Sequence, residues 1–332
     1  MSNQGMWITD EQGQDTFVYY SELEHDIVQS FIKPIGGFMF PADMFMMSKL
    51  PSAPFYVQDW LPKRGKTLLY APPKTGKSFL SLQLARCVAS GEPFLGLKTT
   101  KGRVAYTQFE LGEEILQARL KQTGMTYEDV FVGTSFSLKL DTEHGQKMMW
   151  SALEAVEPHV LIIDPLYKAI AGDENESSDV RRILDFLDSI IEGFNCSIFL
   201  IHHAGKDLTK RGRGSSVFED WVDSYLQMQR TSKAGEALKV KIKPIFLRHA
   251  SLPPDPIEAE LGNNFEFFTN DLAPTVKQQV EAFIRIAGSA VSPAEIFAAQ
   301  IGSNTSVYKA LKQLMDEGKV VKAKWGFYEY VR

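Results

Sequence analysis

The sequence predicts an α/β protein: a mostly parallel twisted sheet with helices packed on it, followed by a small C-terminal winged helix-turn-helix domain. Three observations carry that prediction. From about Pro51, short apolar runs alternate with longer amphipathic segments, the pattern of repeated βα units. One run, Thr67-Leu-Leu-Tyr70, passes through a Pro-, Lys- and Gly-containing loop directly into a helical stretch from Phe79 to Val88. At Asn270-Asp-Leu-Ala-Pro274 the pattern breaks, and the remainder reads as three helices and a hairpin.

Taken in order, residues 1 to about 50 show little periodicity and contain a Met- and Phe-rich stretch, Gly36 to Met47. It predicts an arm that packs on the main domain or on a neighbouring subunit, because exposed apolar stretches need a cover. The main domain, 51–272, has strands near Thr67–Tyr70, Arg103–Gln108, Val130–Thr134, Val160–Asp164, Ser197–His202, Ser224–Gln229 and Leu238–Ile245. Between them, Ser178 to Phe194 repeats Val180, Ile183, Leu184, Leu187, Ile190 and Ile191 at helical spacing, a face for packing on the sheet. In the tail, 273–332, helices fall at Val276–Ile286, Pro293–Gln300 and about Thr305–Glu317, the last stopped by Gly318 before a hairpin turning near Trp325-Gly326. In the third helix Val307, Leu311, Leu314 and Met315 form the buried stripe, while Tyr308, Lys309 and Lys312 point outward.

The chain has 332 residues, 44% hydrophobic and 23% charged, which describes a folded protein of about two domains rather than a disordered or fibrous one. The apolar runs Val160–Ile163 and Ile198–Ile201 are strand length, far short of the about 20 residues of a membrane span. No Lys or Arg precedes Lys33, so a cytoplasmic location is expected. A net charge of −5 excludes a globally basic nucleic-acid coat, although the last 60 residues hold eight Lys/Arg against five Asp/Glu. Cys87 and Cys196, in apolar segments without a metal-ligand pattern, read as buried free thiols.

The segment Ala71-Pro-Pro-Lys-Thr-Gly-Lys-Ser78 has the composition and the strand-loop-helix setting of a phosphate-binding loop. Amides at the opening of the helix can surround a phosphate, Lys77 can reach the β- and γ-oxygens, and the Ser78 hydroxyl can ligate Mg²⁺. Pro73, Lys74, Thr75, Gly76, Lys77, Ser78 and Phe79 are therefore the expected contacts of ATP. The usual first glycine is Ala71 here, so the turn must avoid positive φ at that position. A second carboxylate for the metal ends the strand His159-Val-Leu-Ile-Ile-Asp164, and Asp164 is expected to hold it through water. Pro165 follows, so the base that orients water must come from another strand. Glu110, just beyond Tyr106-Thr-Gln-Phe109, is the candidate.

These blocks, in this order, resemble the RecA-like ATPases of the RepA type, hexameric plasmid and phage replicative helicases related to the DnaB superfamily. The resemblance runs from about Pro51 to Thr269. Phe109-Glu110 with Gln117-Ala-Arg-Leu120 is similar to the block of the catalytic glutamate. Leu161-Ile-Ile-Asp-Pro-Leu166 with Gly172-Asp-Glu-Asn175 resembles Walker B and its loop. Phe199-Leu-Ile-His-His-Ala-Gly-Lys206 resembles the block whose histidine senses the γ-phosphate, and Arg213-Gly-Ser-Ser216 the start of the DNA-facing block.

The resemblance implies a sensor at the end of the strand, with His202 preferred over His203. It implies that Lys210, Arg211 and Arg213, in a loop with three glycines, grip single-stranded DNA in the pore of a homo-oligomeric, hexameric ring. It also implies a cation given across the subunit boundary, Lys243 or Arg248, with Arg248 preferred. Lys309 and Lys312 in the tail are expected to meet duplex DNA or, alternatively, the tail docks a replication partner. The activity expected is that of an Mg-ATP-hydrolysing helicase, without a membrane. Alternatives are a non-translocating ATP-dependent DNA-binding regulator, a recombination factor and a small-molecule kinase.

Overall fold

The computed structural model describes residues 5–9, 15–19, 39–47, 54–172, 177–203, 213–269, 276–324 and 326–331. They fall into two compact units, Met1–Pro54 and Phe55–Arg332. In the first, β1 (Gly5–Thr9) pairs antiparallel with β2 (Asp15–Tyr19), and a short helix α1 spans Ala42–Met47. This hairpin departs from the aperiodic reading of the first fifty residues. Both strands are rich in β-branched and aromatic residues, but each is only five residues long, too short to establish a period. Met39, Phe40, Phe45 and Met46 of this unit are exposed.

The second unit opens with a small hairpin, β3 (Phe55–Val57) and β4 (Leu61–Pro62). There follow β5 (Lys66–Ala71), α2 (Lys77–Ser90), β6 (Val104–Gln108), α3 (Glu113–Thr123), β7 (Val130–Thr134), α4 (Glu143–Val156) and β8 (Val160–Asp164). A 3-10 turn (Leu166–Ala169), α5 (Ser177–Phe194), β9 (Ser197–His203), α6 (Arg213–Trp221), β10 (Ser224–Arg230) and β11 (Lys239–Leu247) come next, then β12 (Ile257–Leu261) and β13 (Phe267–Thr269). Strand order is β13-β12-β11-β10-β5-β9-β8-β6-β7. The strands from β10 to β7 run parallel, and β10 to β13 form an antiparallel extension.

The central strands β8 and β9 are apolar at nearly every position because helices cover both faces. Alternation then sorts them. Val160, Ile162, Phe199 and Ile201 join the core under α2, while Leu161, Ile163, Ile198 and Leu200 join the core under α5. That alternation decides which polar side chains at the strand ends meet the loop before α2.

Helix α2 is buried on nearly every side, not on one stripe. The cause is the β12–β13 hairpin, which the sequence reading did not anticipate. Gln83 in α2 donates Nε2 to the Phe267 carbonyl and accepts from the Phe267 amide, both at 2.8 Å. Arg86 forms a buried pair with Glu266, Nε to Oε1 at 2.6 Å. Pro244 does not stop β11: it lies opposite Leu226 at a register shift, beyond the four residues that pair with β12, so its missing N–H costs no bond on that side.

The chain ends with α7 (Val276–Ala287), α8 (Pro293–Ala298), α9 (Asn304–Asp316) and a hairpin, β14 (Val320–Lys324) and β15 (Phe327–Tyr330). Val280, Ile284, Ile296, Val307, Leu311, Leu314 and Tyr328 close a separate apolar cluster. The end of α7 abuts the end of α3. Gly124 there has φ +64°, and a Cβ on it would lie 2.5 Å from Ile286 Cγ1, so glycine is required for both conformation and approach. No helix among the described residues is long and apolar enough to cross a membrane.

Candidate active site

The site forms where the parallel strands end. β5 stops at Ala71, which remains extended, and the chain turns at Lys74 (φ 62°) and Gly76 (φ 85°) before entering α2. Positive φ thus falls away from the position where the loop lacks glycine. A Cβ on Gly76 would lie 2.8 Å from Phe267 Cζ and 2.9 Å from Leu238 Cδ2, so these side chains crowd a position whose positive φ already favours glycine. Thr75 Oγ1 donates to the Pro72 carbonyl at 2.9 Å and braces the turn.

Lys77, at the first position of α2, folds back and donates Nζ to the carbonyls of Ala71 (2.9 Å) and Pro72 (2.8 Å). Burial lowers its pKa to about 8, against the opposing pull of Asp164 and Glu110, the two carboxylates assigned to the same chemistry. Asp164 is 2% exposed at the end of β8. It accepts from Tyr106 Oη at 2.5 Å and from Gln108 Nε2 at 3.3 Å, and the Ser78 side chain lies close enough to act on it. Burial raises its pKa; the Tyr106 bond, the nearby Ser78 hydroxyl and the charge of Lys77 act the other way.

Glu110 lies just past β6. Its amide donates to Gln108 Oε1 at 2.7 Å, its Oε1 accepts from Tyr167 Oη at 3.1 Å, and its Oε2 is 4.0 Å from His203 Nε2. Lys77, Ser78, Asp164 and Glu110 therefore belong to one cluster. Of the two histidines, it is His203 that joins them, which corrects the preference for His202. By alternation along β9, His202 turns to the opposite face, where its ring packs near Tyr70 (5.8 Å) and Phe218 (5.3 Å). Its Nδ1 is buried without a hydrogen-bond partner, and burial, with the charges of His203 and Lys77, lowers its pKa to about 4. The His203 pKa is also lowered, first by burial and then by Lys77.

Pro73 and Lys74 form the exposed apex of the loop, beside a cavity of about 350 Å³ lined also by Pro72, Thr75, Gln229 and Arg230. Phe79 stacks on Phe265 at 4.6 Å, with the Arg119 guanidinium 4.8 Å from its ring. Arg248 is not in the cluster. It follows β11 at the opposite end of the sheet, where it pairs with Asp223 at 3.3 Å and the Asp220 carbonyl at 2.8 Å. Lys243, within β11, pairs in register with Gln227. Lys210 and Arg211 lie outside the described residues; Arg213 opens α6, with its side chain likewise outside them. Lys309 and Lys312 are exposed on α9.

Tyr106, Gln108, Tyr167, Arg119 and Phe265 were not singled out from the sequence. Tyr106 and Gln108 had a readable signal, since alternate residues of a strand share one face and these two lead to Glu110 just beyond it. Tyr167 and Phe265 had none, because tertiary folding alone brings them in.

A family model described as AAA domain matches residues 39–208. Among solved structures, the fold is similar to that of a KaiC-like protein from the hyperthermophilic archaeon Pyrococcus horikoshii OT3. The TM-score is 0.50 at 14% sequence identity, over 66% of this chain and 95% of that one, a likeness of fold.

Proposed function

The chain belongs to the AAA domain family, as an AAA-type ATPase of RecA-like fold, and on that premise we propose that it is a ring-forming motor that hydrolyses Mg-ATP and acts on single-stranded DNA, a replicative helicase of the RepA type. The observation that carries the reading is the meeting, at one end of the parallel strands, of the loop lysine Lys77, the buried carboxylate Asp164 and Glu110, with Lys77 under the electrostatic pull of both carboxylates. A buried carboxylate and a hydroxyl that meet beside a loop lysine are a fitting donor set for Mg²⁺ next to a triphosphate. Ser78 and Asp164 would hold that ion, whose charge offsets the negative charge on the phosphoryl oxygens.

Each residue then has one task. Lys77 exchanges its two carbonyl partners for phosphate oxygens. Glu110 takes the proton of the attacking water as the new O–P bond forms and the bond to the ADP oxygen breaks. His203, between the loop face and Glu110, is the sensor of the γ-phosphate. Phe79, flanked by Arg119 and Phe265, offers aromatic and cationic surface for the adenine.

Arg248 stands at the end of the sheet away from its own phosphate loop, so the catalytic role proposed for it is at a neighbour's site in an oligomer. The basic loop with Lys210, Arg211 and Arg213 is the proposed grip on single strands. Exposed Lys309 and Lys312 beside Tyr308 are the proposed contact of the C-terminal helices with duplex DNA.

ATP turnover measured with and without single-stranded DNA, on protein sized by light scattering, tests the reading. Turnover that DNA stimulates, in a hexamer, is expected. Its loss by a factor of about 100 or more in Glu110→Gln, with nucleotide still bound, would identify the base. A monomer without turnover would refute the motor.

A further inference from the structure

Glu110 is a glutamate in an exposed position: it stands on a bend past the end of β6, with 46% of its side chain open to solvent. A free side chain there would sample several rotamers, and a general base is useful only in the one that meets its water. The structure supplies what fixes it. Tyr167, third after Asp164 and carried on the 3-10 turn, donates its hydroxyl to Glu110 Oε1 at 3.1 Å. The Tyr167 ring meets the His203 ring edge to face, with centroids 4.9 Å apart and planes at 67°, and His203 Nε2 faces the other carboxylate oxygen at 4.0 Å. The two oxygens of Glu110 thus face two groups from different elements, Tyr167 on the turn after β8 and His203 at the end of β9. Lys168 Nζ, 5.2 Å from the Tyr167 ring centroid, lies against the same ring.

We propose that Tyr167 is a positioning residue for Glu110: its hydroxyl holds the carboxylate in register with the Asp164 strand, so that base and metal ligand keep one spacing. The inference rests on the ATPase reading above. Because Tyr167 follows Asp164 by three residues on a short turn braced by the Lys168 amide to the Pro165 carbonyl, any movement of the strand end carries hydroxyl and metal carboxylate together. Tyr167 acts through Glu110, to whose carboxylate its hydroxyl donates.

The test is Tyr167→Phe, which keeps the ring against His203 and removes only the oxygen. Steady-state turnover should show kcat lower by about 10-fold with KM for ATP within about twofold, because the lost bond orients the base and does not bind the nucleotide. Single-turnover measurements in a Glu110→Gln background should show no further loss on adding Tyr167→Phe, since residues acting as one unit are not additive. An unchanged kcat in Tyr167→Phe would overturn the proposal. So would an equal loss in both backgrounds, or a loss confined to KM. Wild-type protein that binds ATP without turning it over would sink the ATPase reading itself, a result distinct from an active wild type whose Tyr167→Phe variant is equally active.

Discussion

Tyr106 donates its hydroxyl to Asp164 at 2.5 Å across the adjacent strands β6 and β8, and both groups are buried. The bond holds a carboxylate that has almost no access to water, so its partners must come from the protein. Tyr106→Phe keeps the ring volume and removes the shorter of the two hydrogen bonds to the Asp164 carboxylate, leaving that from Gln108 at 3.3 Å. The expected cost is about 1–3 kcal/mol of stability, the range for a buried acceptor losing one donor. Mg-ATP binding should weaken as well, because the carboxylate is no longer aimed. Urea unfolding and a titration with a fluorescent ATP analogue measure the two; a variant equal to wild type in both would show that the bond is dispensable.

A second prediction concerns acid. His202 is buried with its pKa lowered to about 4 from an unfolded value of 6.5, by burial first and then by the charges of His203 and Lys77. Between those two values the unfolded chain binds the proton and the folded chain does not. Stability from this group is therefore complete above about pH 6.5 and falls as pH drops towards about 4, by up to about 3 kcal/mol. His203, also lowered, adds a loss of the same sign. The measurement is the melting profile of His202→Leu beside wild type between pH 7 and pH 4. A shallower decline in the variant is expected; parallel curves would mean that His202 is not buried in its neutral form.

Much of the site was legible because it lies at strand ends that composition marks well. The loop Ala71–Ser78, Asp164 and Glu110 could be found because each follows a run of β-forming residues and each is of a type that the chemistry needs. The adjacent histidines show where such reading stops. In Ile198-Phe-Leu-Ile-His-His203 every residue before the pair is apolar, so no alternation reveals which histidine faces α2; only the register of β9 against β5 and β8 does. The β12–β13 hairpin was missed for a different reason. Its strands are short, and the hairpin's bonds to Gln83 and Arg86 span 184 and 180 residues of sequence, a relation that no local pattern carries.

Arg248 yields a prediction that separates action on its own site from action on a neighbour's. β11 runs antiparallel to β10, so Arg248 emerges beside the start of β10, while the phosphate loop follows the end of β5, which is parallel to β10. Its bonds to Asp223 and the Asp220 carbonyl are exposed and would exchange readily for a phosphate of an adjacent subunit. Arg248→Ala alone and Lys77→Ala alone should each be nearly inactive. Mixed before assembly, they should recover part of the turnover, because some interfaces then combine an intact Lys77 site with an intact Arg248. Absence of recovery at every mixing ratio, with mixed oligomers demonstrated, would remove Arg248 from catalysis.

The last prediction uses salt to count charges. If Lys210, Arg211 and Arg213 each neutralise a phosphate of single-stranded DNA, binding must release about 0.7 counterion per contact, and affinity must fall as a power of salt concentration. Replacing all three with alanine should weaken binding at low salt and flatten the slope of log affinity against log salt by about 2. Lys309→Ala with Lys312→Ala should leave that slope for single strands unchanged and lower affinity for duplex, since those lysines lie on α9 in the separate C-terminal cluster. Fluorescence anisotropy with a labelled oligonucleotide, single- and double-stranded, at several salt concentrations gives the slopes of wild type and both variants. A triple variant whose slope matches wild type would move the single-strand grip away from these three residues, because the slope counts the phosphates neutralised.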